Sequence, residues 1–240
     1  MLNAAFHISV AHARDLPSDS LAEVAFAGRS NAGKSSSINT LCNQKRLAYV
    51  SKLPGRTQLL NFFRVEDGRF LVDLPGYGFA KAPKEQQMQW QSLIGGYLAR
   101  SSHLAGLVLI MDIRHPLTDL DWSLLEWFRP LGKPVHVLLS KSDKLSRGPA
   151  MQTLAQVRAA LLQAELPATV QLFSSLKRVG VDEAENVVRG WLGTPKKGQI
   201  TGQYSEQTAE QTAEQTTERD TTVPPATANI VDENGAKQNV

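Results

Sequence analysis

Six apolar runs are spaced along residues 21–175, and segments of helical periodicity fill most of the gaps between them. The runs are LAEVAFA (21–27), LLNFFRV (59–65), RFLVDL (69–74), LAGLVLIMD (104–112), PVHVLLS (134–140) and TVQLFSS (169–175). Segments 34–43, 85–100, 119–129, 149–164 and 181–192 place apolar residues at helix spacing, as at Leu154, Val157, Leu161 and Leu162. Apolar strands alternating with helices predict an α/β fold, a doubly wound, mostly parallel six-stranded sheet with helices on both faces. Only Glu66, Asp67 and Gly68 separate LLNFFRV from RFLVDL. That is a hairpin spacing, so one antiparallel edge strand is expected. The pattern stops after Trp191 and Leu192. GTPKKG breaks the last helix, and EQTAEQTAEQTTE (206–218) repeats a unit poor in large apolar groups. Such a segment buries too little surface to offset its ordering entropy. The chain therefore reads as one folded domain over 1–197 and a disordered acidic and polar tail over 198–240.

Composition narrows the setting. An apolar content of 42% supports a sizeable core, and the single cysteine, Cys42, excludes an internal disulfide framework. The N-terminus lacks a signal-peptide layout, and no apolar run approaches the roughly 20 residues that cross a bilayer. A cytoplasmic protein without membrane contact is expected. Residues 200–240 hold two basic and seven acidic residues, leaving 24 basic against 16 acidic in 1–199, a net +8. A basic body suits a polyanionic partner or simply an anionic small ligand.

The chemistry begins at Gly28, Arg29, Ser30, Asn31, Ala32, Gly33, Lys34 and Ser35, which satisfy G-x-x-x-x-G-K-[ST] between an apolar strand and a helix. Backbone N–H groups and the helix N-terminus would face phosphates, with Gly28 and Gly33 allowing close approach. Lys34 would reach the β and γ phosphates, and the Ser35 hydroxyl would ligate Mg²⁺. Asp73, Leu74, Pro75 and Gly76 end a second strand. Asp73 suits a metal-holding carboxylate, and Gly76 can offer its N–H to a γ-phosphate. Between the two lies a polar stretch without periodicity, SKLPGRTQLLN (51–61), whose Gly55, Arg56, Thr57, Gln58 and Leu59 are expected to line the nucleotide. Thr57 would bring a second hydroxyl to Mg²⁺ when a γ-phosphate is present, as a switch segment does.

None of this chooses the base. A guanine reader needs a carboxylate for the N1–H and N2–H₂ donors that adenine lacks. Ser140, Lys141, Ser142 and Asp143 follow the strand PVHVLLS; Asp143 supplies the carboxylate, the stem of Lys141 can cover the base, and Ser140 can brace the loop. Phe173, Ser174 and Ser175 end the next strand, on the O6 side. SKSD alone is also an ordinary polar turn, and the upstream motifs decide for guanine.

GRSNAGKSS, PGRTQLLNFF, DLPGYGFAK, MDIRHPL, SKSDKL and FSSLKRVG resemble, in order and spacing, the EngB/YihA family of bacterial GTPases across residues ~5 to 192. The resemblance implies a P-loop GTPase domain, GTP/GDP and Mg²⁺ binding, and slow hydrolysis. It also implies a partnership with the large (50S) ribosomal subunit and a link to cell division and septation. The family usually carries Thr where this chain has Ser140, which keeps the hydroxyl. Related GTPases coordinate K⁺ with an asparagine at the position of Asn31, which gives K⁺ stimulation as a hypothesis beside the plainer reading that Asn31 only satisfies loop backbone groups. Lys34, Thr57, Gly76 and Asn31 are the candidate catalytic set, and Mg²⁺ is the expected cofactor. Tyr77 stands where small GTPases place a water-orienting glutamine, which predicts slow turnover. Arg29, Lys52 and Arg56 are read as solvated surface or as charge-stabilising groups. Tyr77, Phe79 and Trp90 are expected beside the second switch, and Cys42 in a helix core. A monomer is expected. The competing reading is an RNA- or ribosome-binding module merely stabilised by nucleotide. A P-loop kinase is disfavoured, because no insertion is long enough for an arginine-bearing lid.

Overall fold

The computed structural model describes residues 1–48, 59–77 and 84–194, with backbone alone at 84–87 and 89. Lys52, Gly55, Arg56, Thr57, Gln58, Phe79 and the tail over 198–240 lie outside the described residues. The elements run β1 (Ala5–Val10), β2 (Ala22–Gly28), α1 (Lys34–Leu41), β3 (Leu60–Glu66), β4 (Arg69–Asp73) and α2 (Lys84–Arg100). There follow β5 (Leu104–Asp112), α3 (Asp119–Phe128), β6 (Val135–Ser140), α4 (Arg147–Gln163), β7 (Ala168–Leu172) and α5 (Val181–Leu192).

The strands form a single sheet in the order β1-β3-β4-β2-β5-β6-β7. β2 pairs in parallel with β4 and β5, and β6 continues the parallel series to β7. β3 runs antiparallel to both β4 and β1. The fold class is the one the patterning predicts, but the sheet has seven strands rather than six, and the antiparallel strand is not at the edge. The strand outside it is β1, whose residues are mostly exposed, Phe6 at 58%. An edge strand that buries little carries no apolar run to betray it, whereas β3 is covered by neighbours on both sides. A register shift between Phe6 and Ile8 bends β1, one of the devices that keep a free edge from recruiting further strands. The β3–β4 hairpin closes through Gly68 at φ 69°, a conformation glycine adopts without steric cost.

Alternation along each strand divides the core into two layers. Val24, Phe26, Val108, Ile110 and Leu138 face α1 and α5 through Ile38, Leu41, Ala184 and Val188. Ala25, Ala27, Val72, Leu107 and Leu109 face α2, α3 and α4 through Ile94, Tyr97, Leu125, Phe128 and Val157. The sheet order reverses at β2, which lies between β4 and β5. The C-terminal ends of β2, β4, β5, β6 and β7 thus surround one crevice, the place where open α/β sheets bind ligands. Cys42 is buried at the end of α1, and burial, reinforced by Glu185, pushes its thiol up to about 12, as suits a core residue and not a nucleophile. Among the described residues no helix is long and apolar enough to cross a membrane.

Candidate functional site

The phosphate loop joins β2 to α1. Gly33 caps the helix with φ 104°, open to glycine and strained for any side chain. The first N–H groups of α1 lack helical partners and carry the positive end of the helix dipole. Gly28 has a packing reason to be glycine beside its place in the motif. A Cβ there would lie 2.8 Å from the Ile110 carbonyl oxygen, so its glycine serves the close pairing of β2 with β5. Ser35 lies in the first turn of α1, and Lys34 Nζ is ion-paired with Asp73 Oδ1. Asp73 reaches that position because it ends β4 directly beside Phe26 of β2. Both side chains are almost enclosed, at 10% and 7% exposure, so their attraction is stronger than at the surface but is set against the cost of desolvating both charges, and removing one partner alone would be costly.

The segment after Asp73 is stitched to the phosphate loop. Leu74 N–H donates to Phe26 O at 3.0 Å, and Ser30 N–H donates to Tyr77 O at 2.8 Å. A Cβ on Gly76 would stand 3.3 Å from Ser30 Oγ, so the two loops are in contact there. The Trp90 indole N–H donates to Pro75 O at 2.9 Å.

Tyr77 belongs to the core and not to the crevice. It is buried among α2 and α3 residues, its hydroxyl donates to Asp121 Oδ1 at 2.7 Å, and burial together with Asp121 pushes its ionisation far above the usual phenol range. Asp121 also accepts the Thr118 N–H and hydroxyl at 2.9 and 2.8 Å, closing a capping box at the start of α3. Arg29 turns the same way. Its Nε lies 3.8 Å from Asp121, and Nη2 donates to His115 O at 3.1 Å. Arg29 and Tyr77 therefore tie the phosphate loop to α3. Tyr77→Phe removes one donor from a buried carboxylate and is expected to cost about 1–3 kcal/mol, read as a lowered urea midpoint at unchanged turnover. A fall in turnover at unchanged stability would place the phenol in the reaction instead.

The loop after β6 is bound to the phosphate loop at two points. Ser140 is buried, and its hydroxyl lies 2.5 Å from Ala32 O and 3.1 Å from Met111 O, bracing the two loops. Lys141, at φ 57°, places Nζ 2.6 Å from Asn31 O and 2.9 Å from Asp112 Oδ2. Asp143 Oδ1 accepts the Ser174 hydroxyl at 2.5 Å, and Ser174 Oγ in turn accepts Lys177 N–H at 3.0 Å. Ser142 N–H donates to Phe173 O at 3.1 Å, while the Phe173 ring is in the core, so only its backbone faces the crevice. Ser175 follows it at partial exposure. One rung below, Gln171 links buried His136 (2.8 Å) to Gly180 O (2.7 Å), pinning the far end of this loop. Burial lowers the His136 pKa, so the ring stays neutral there.

Asp112 and Arg114 are the residues the sequence reading passes over, although MDIRHPL was recognised as a motif. Arg114 grips Asp112 through Nε at 2.9 Å and Nη2 at 2.6 Å, and its backbone N–H adds a third bond. Burial alone would raise the Asp112 pKa, but the hydrogen bonds from Arg114 and Lys141 outweigh it and hold the carboxyl well below the usual range. The available signal was an acid ending an apolar strand, the same signal read at Asp73. Among the described residues no group of three or more His, Cys, Asp or Glu gathers to hold a metal. Ser35 and Asp73 offer a hydroxyl and one carboxylate, the sparse oxygen set of a cation that also takes phosphate ligands.

The family model described as a 50S ribosome-binding GTPase matches residues 23–141. The chain is 60% identical over 192 residues to a probable GTP-binding protein EngB of Dechloromonas aromatica (strain RCB), covering 79% of this chain and 87% of the relative. It is 62% identical over 191 residues to the protein of the same description from Azoarcus sp. (strain BH72), covering 79% and 91%. Among solved structures, that of a probable GTP-binding protein engB superposes with a TM-score of 0.58 at 22% identity, covering 72% of this chain and 99% of that one, a likeness of fold.

Proposed function

Since the chain belongs to the EngB family of GTP-binding proteins, and so is a GTPase, we propose that it is a slow, Mg²⁺-dependent nucleotide switch acting on the large ribosomal subunit. The observation that carries the nucleotide part is the direct bonding of Ser140 and Lys141 to the phosphate-loop carbonyls of Ala32 and Asn31. A base reader and a phosphate cradle joined in this way set the distance between base and polyphosphate before any ligand arrives. In this reading the helix N-terminus and Lys34 hold the phosphates. Gly76 N–H meets the γ-phosphate, and Asp143 accepts from the guanine N1–H and N2–H₂ while Lys141 covers its face. Ser35, Asp73 and Thr57 would hold Mg²⁺, which neutralises charge on the β and γ phosphates. With Tyr77 buried and bonded to Asp121, the residue after Gly76 orients no water, and slow intrinsic turnover follows. The left-handed backbone of Asn31, φ 64°, accounts for asparagine there without a cation, and the geometry lends no support to K⁺.

The ribosomal part rests on the family and on the net +8 of residues 1–199, which suits an RNA-rich surface. A contribution to cell division and septation, a monomeric state and a polar tail outside the GTPase domain belong to the same proposal. Co-sedimentation of the full chain with large subunits is expected to be stronger with a non-hydrolysable GTP analogue than with GDP. Binding that is equal with GTP, GDP and the analogue would replace the switch by a nucleotide-stabilised RNA-binding module.

A further inference from the structure

We propose that Trp90 is a positioning residue for the γ-phosphate, acting through a single peptide unit. The inference rests on the reading that Gly76 N–H meets that phosphate. The carbonyl that accepts the Trp90 indole N–H, Pro75 O at 2.9 Å, belongs to the same planar unit as the Gly76 N–H. No described peptide is cis, so the two groups point in opposite directions, and fixing one aims the other.

The rest of the segment shows why this unit needs an external hold. On one side Leu74 N–H is bonded to Phe26 O, and on the other Tyr77 O is bonded to Ser30 N–H. Between those anchors the unit turns about ψ of Pro75 and φ of Gly76, and a glycine leaves that second torsion nearly unrestricted. Among the described residues only Trp90 bonds to the Pro75 carbonyl. Trp90 is itself well placed to act as a fixed point. Its ring stacks on Trp127 at 6.1 Å and 21°, and meets Tyr77 edge-on at 5.9 Å and 63°. Tyr77 is in turn held by Asp121. The indole is thus locked from two directions, and its N–H is a preorganised donor. A backbone N–H held in one orientation before a phosphate arrives avoids the cost of ordering it on binding. GDP has no γ-phosphate, so Trp90 should favour the triphosphate alone.

The test compares GDP with a non-hydrolysable GTP analogue on the full chain, in titrations of the wild type and two variants. Trp90→Phe removes the indole N–H but keeps an aromatic ring. Replacement of Trp90 by β-(3-benzothienyl)alanine removes only the N–H and preserves shape and stacking, so a packing loss in the first variant does not obscure the answer. In both, affinity for the analogue should fall about fivefold to tenfold while GDP affinity stays within about twofold. An unchanged ratio of the two affinities would overturn the assignment, and so would equal weakening of both nucleotides, since packing alone would produce that. A wild type that binds neither guanine nucleotide would instead defeat the underlying reading of the site, and this assignment with it.

Discussion

Asp143→Asn is expected to lower GTP affinity by about 10²-fold and to make xanthosine triphosphate the preferred ligand. The Ser174 hydroxyl occupies Oδ1 of Asp143 and Lys144 Nζ lies 4.0 Å from Oδ2, beyond hydrogen-bond reach, which leaves Oδ2 and the remaining lone pair of Oδ1 to accept from a ligand. Guanine presents two donors on that edge, N1–H and N2–H₂, and a carboxylate accepts both through charge-assisted bonds. Asparagine replaces one acceptor by an NH₂ donor, and whichever way the amide turns, one contact is lost or a donor meets a donor. Xanthine carries a carbonyl at C2 and pairs with that NH₂ group. The change leaves the supports of the loop in place, because Ser140 and Lys141 hold the phosphate loop without Asp143. Titration with GTP and XTP reads the result. A variant that still prefers GTP would remove Asp143 from the base site.

What could be read from the sequence here has a physical boundary. Strands β2 to β7 are written as apolar runs, and the short spacing between β3 and β4 marks the two as a hairpin. β1 is not, because its place depends on a long-range pairing, Ala5 opposite Arg64, while its own side chains stay exposed. The site divides along the same line. Lys34, Ser35, Asp73 and Asp143 stand at spacings dictated by a strand, a turn and a helix, so local order reveals them. Asp112 and Asp121 also have local partners, but what ties Asp112, Trp90 and Asp121 to the site is tertiary, namely Lys141, Pro75 and Tyr77. Gly28 shows the converse. Its motif position suggests a phosphate turn, and the structure adds a second reason for glycine, the close contact with Ile110. The environment of Ser140 explains why a hydroxyl suffices there, since the position faces two backbone carbonyls that a hydroxyl can reach.

Lys34→Ala carries the other large effect, and it has two components that a second substitution separates. Lys34 is expected to hold the phosphates, and losing a fixed ammonium beside them should weaken GTP and GDP by about 10²-fold or more. The same lysine is ion-paired with Asp73 in a nearly enclosed setting. Removing it leaves a buried carboxylate without its cation, which costs about 3–5 kcal/mol when such a pair is broken from one side. Weak binding by Lys34→Ala alone would therefore not distinguish a damaged site from a damaged fold. Lys34→Ala with Asp73→Asn removes both charges, so the urea midpoint should recover most of the way towards wild type while nucleotide binding stays lost. If the double variant recovered affinity together with stability, Lys34 would be a structural partner of Asp73 and not a phosphate ligand. If Lys34→Ala alone kept its midpoint, the pair would contribute nothing to the fold, and the enclosure of both side chains would reflect the loops around them.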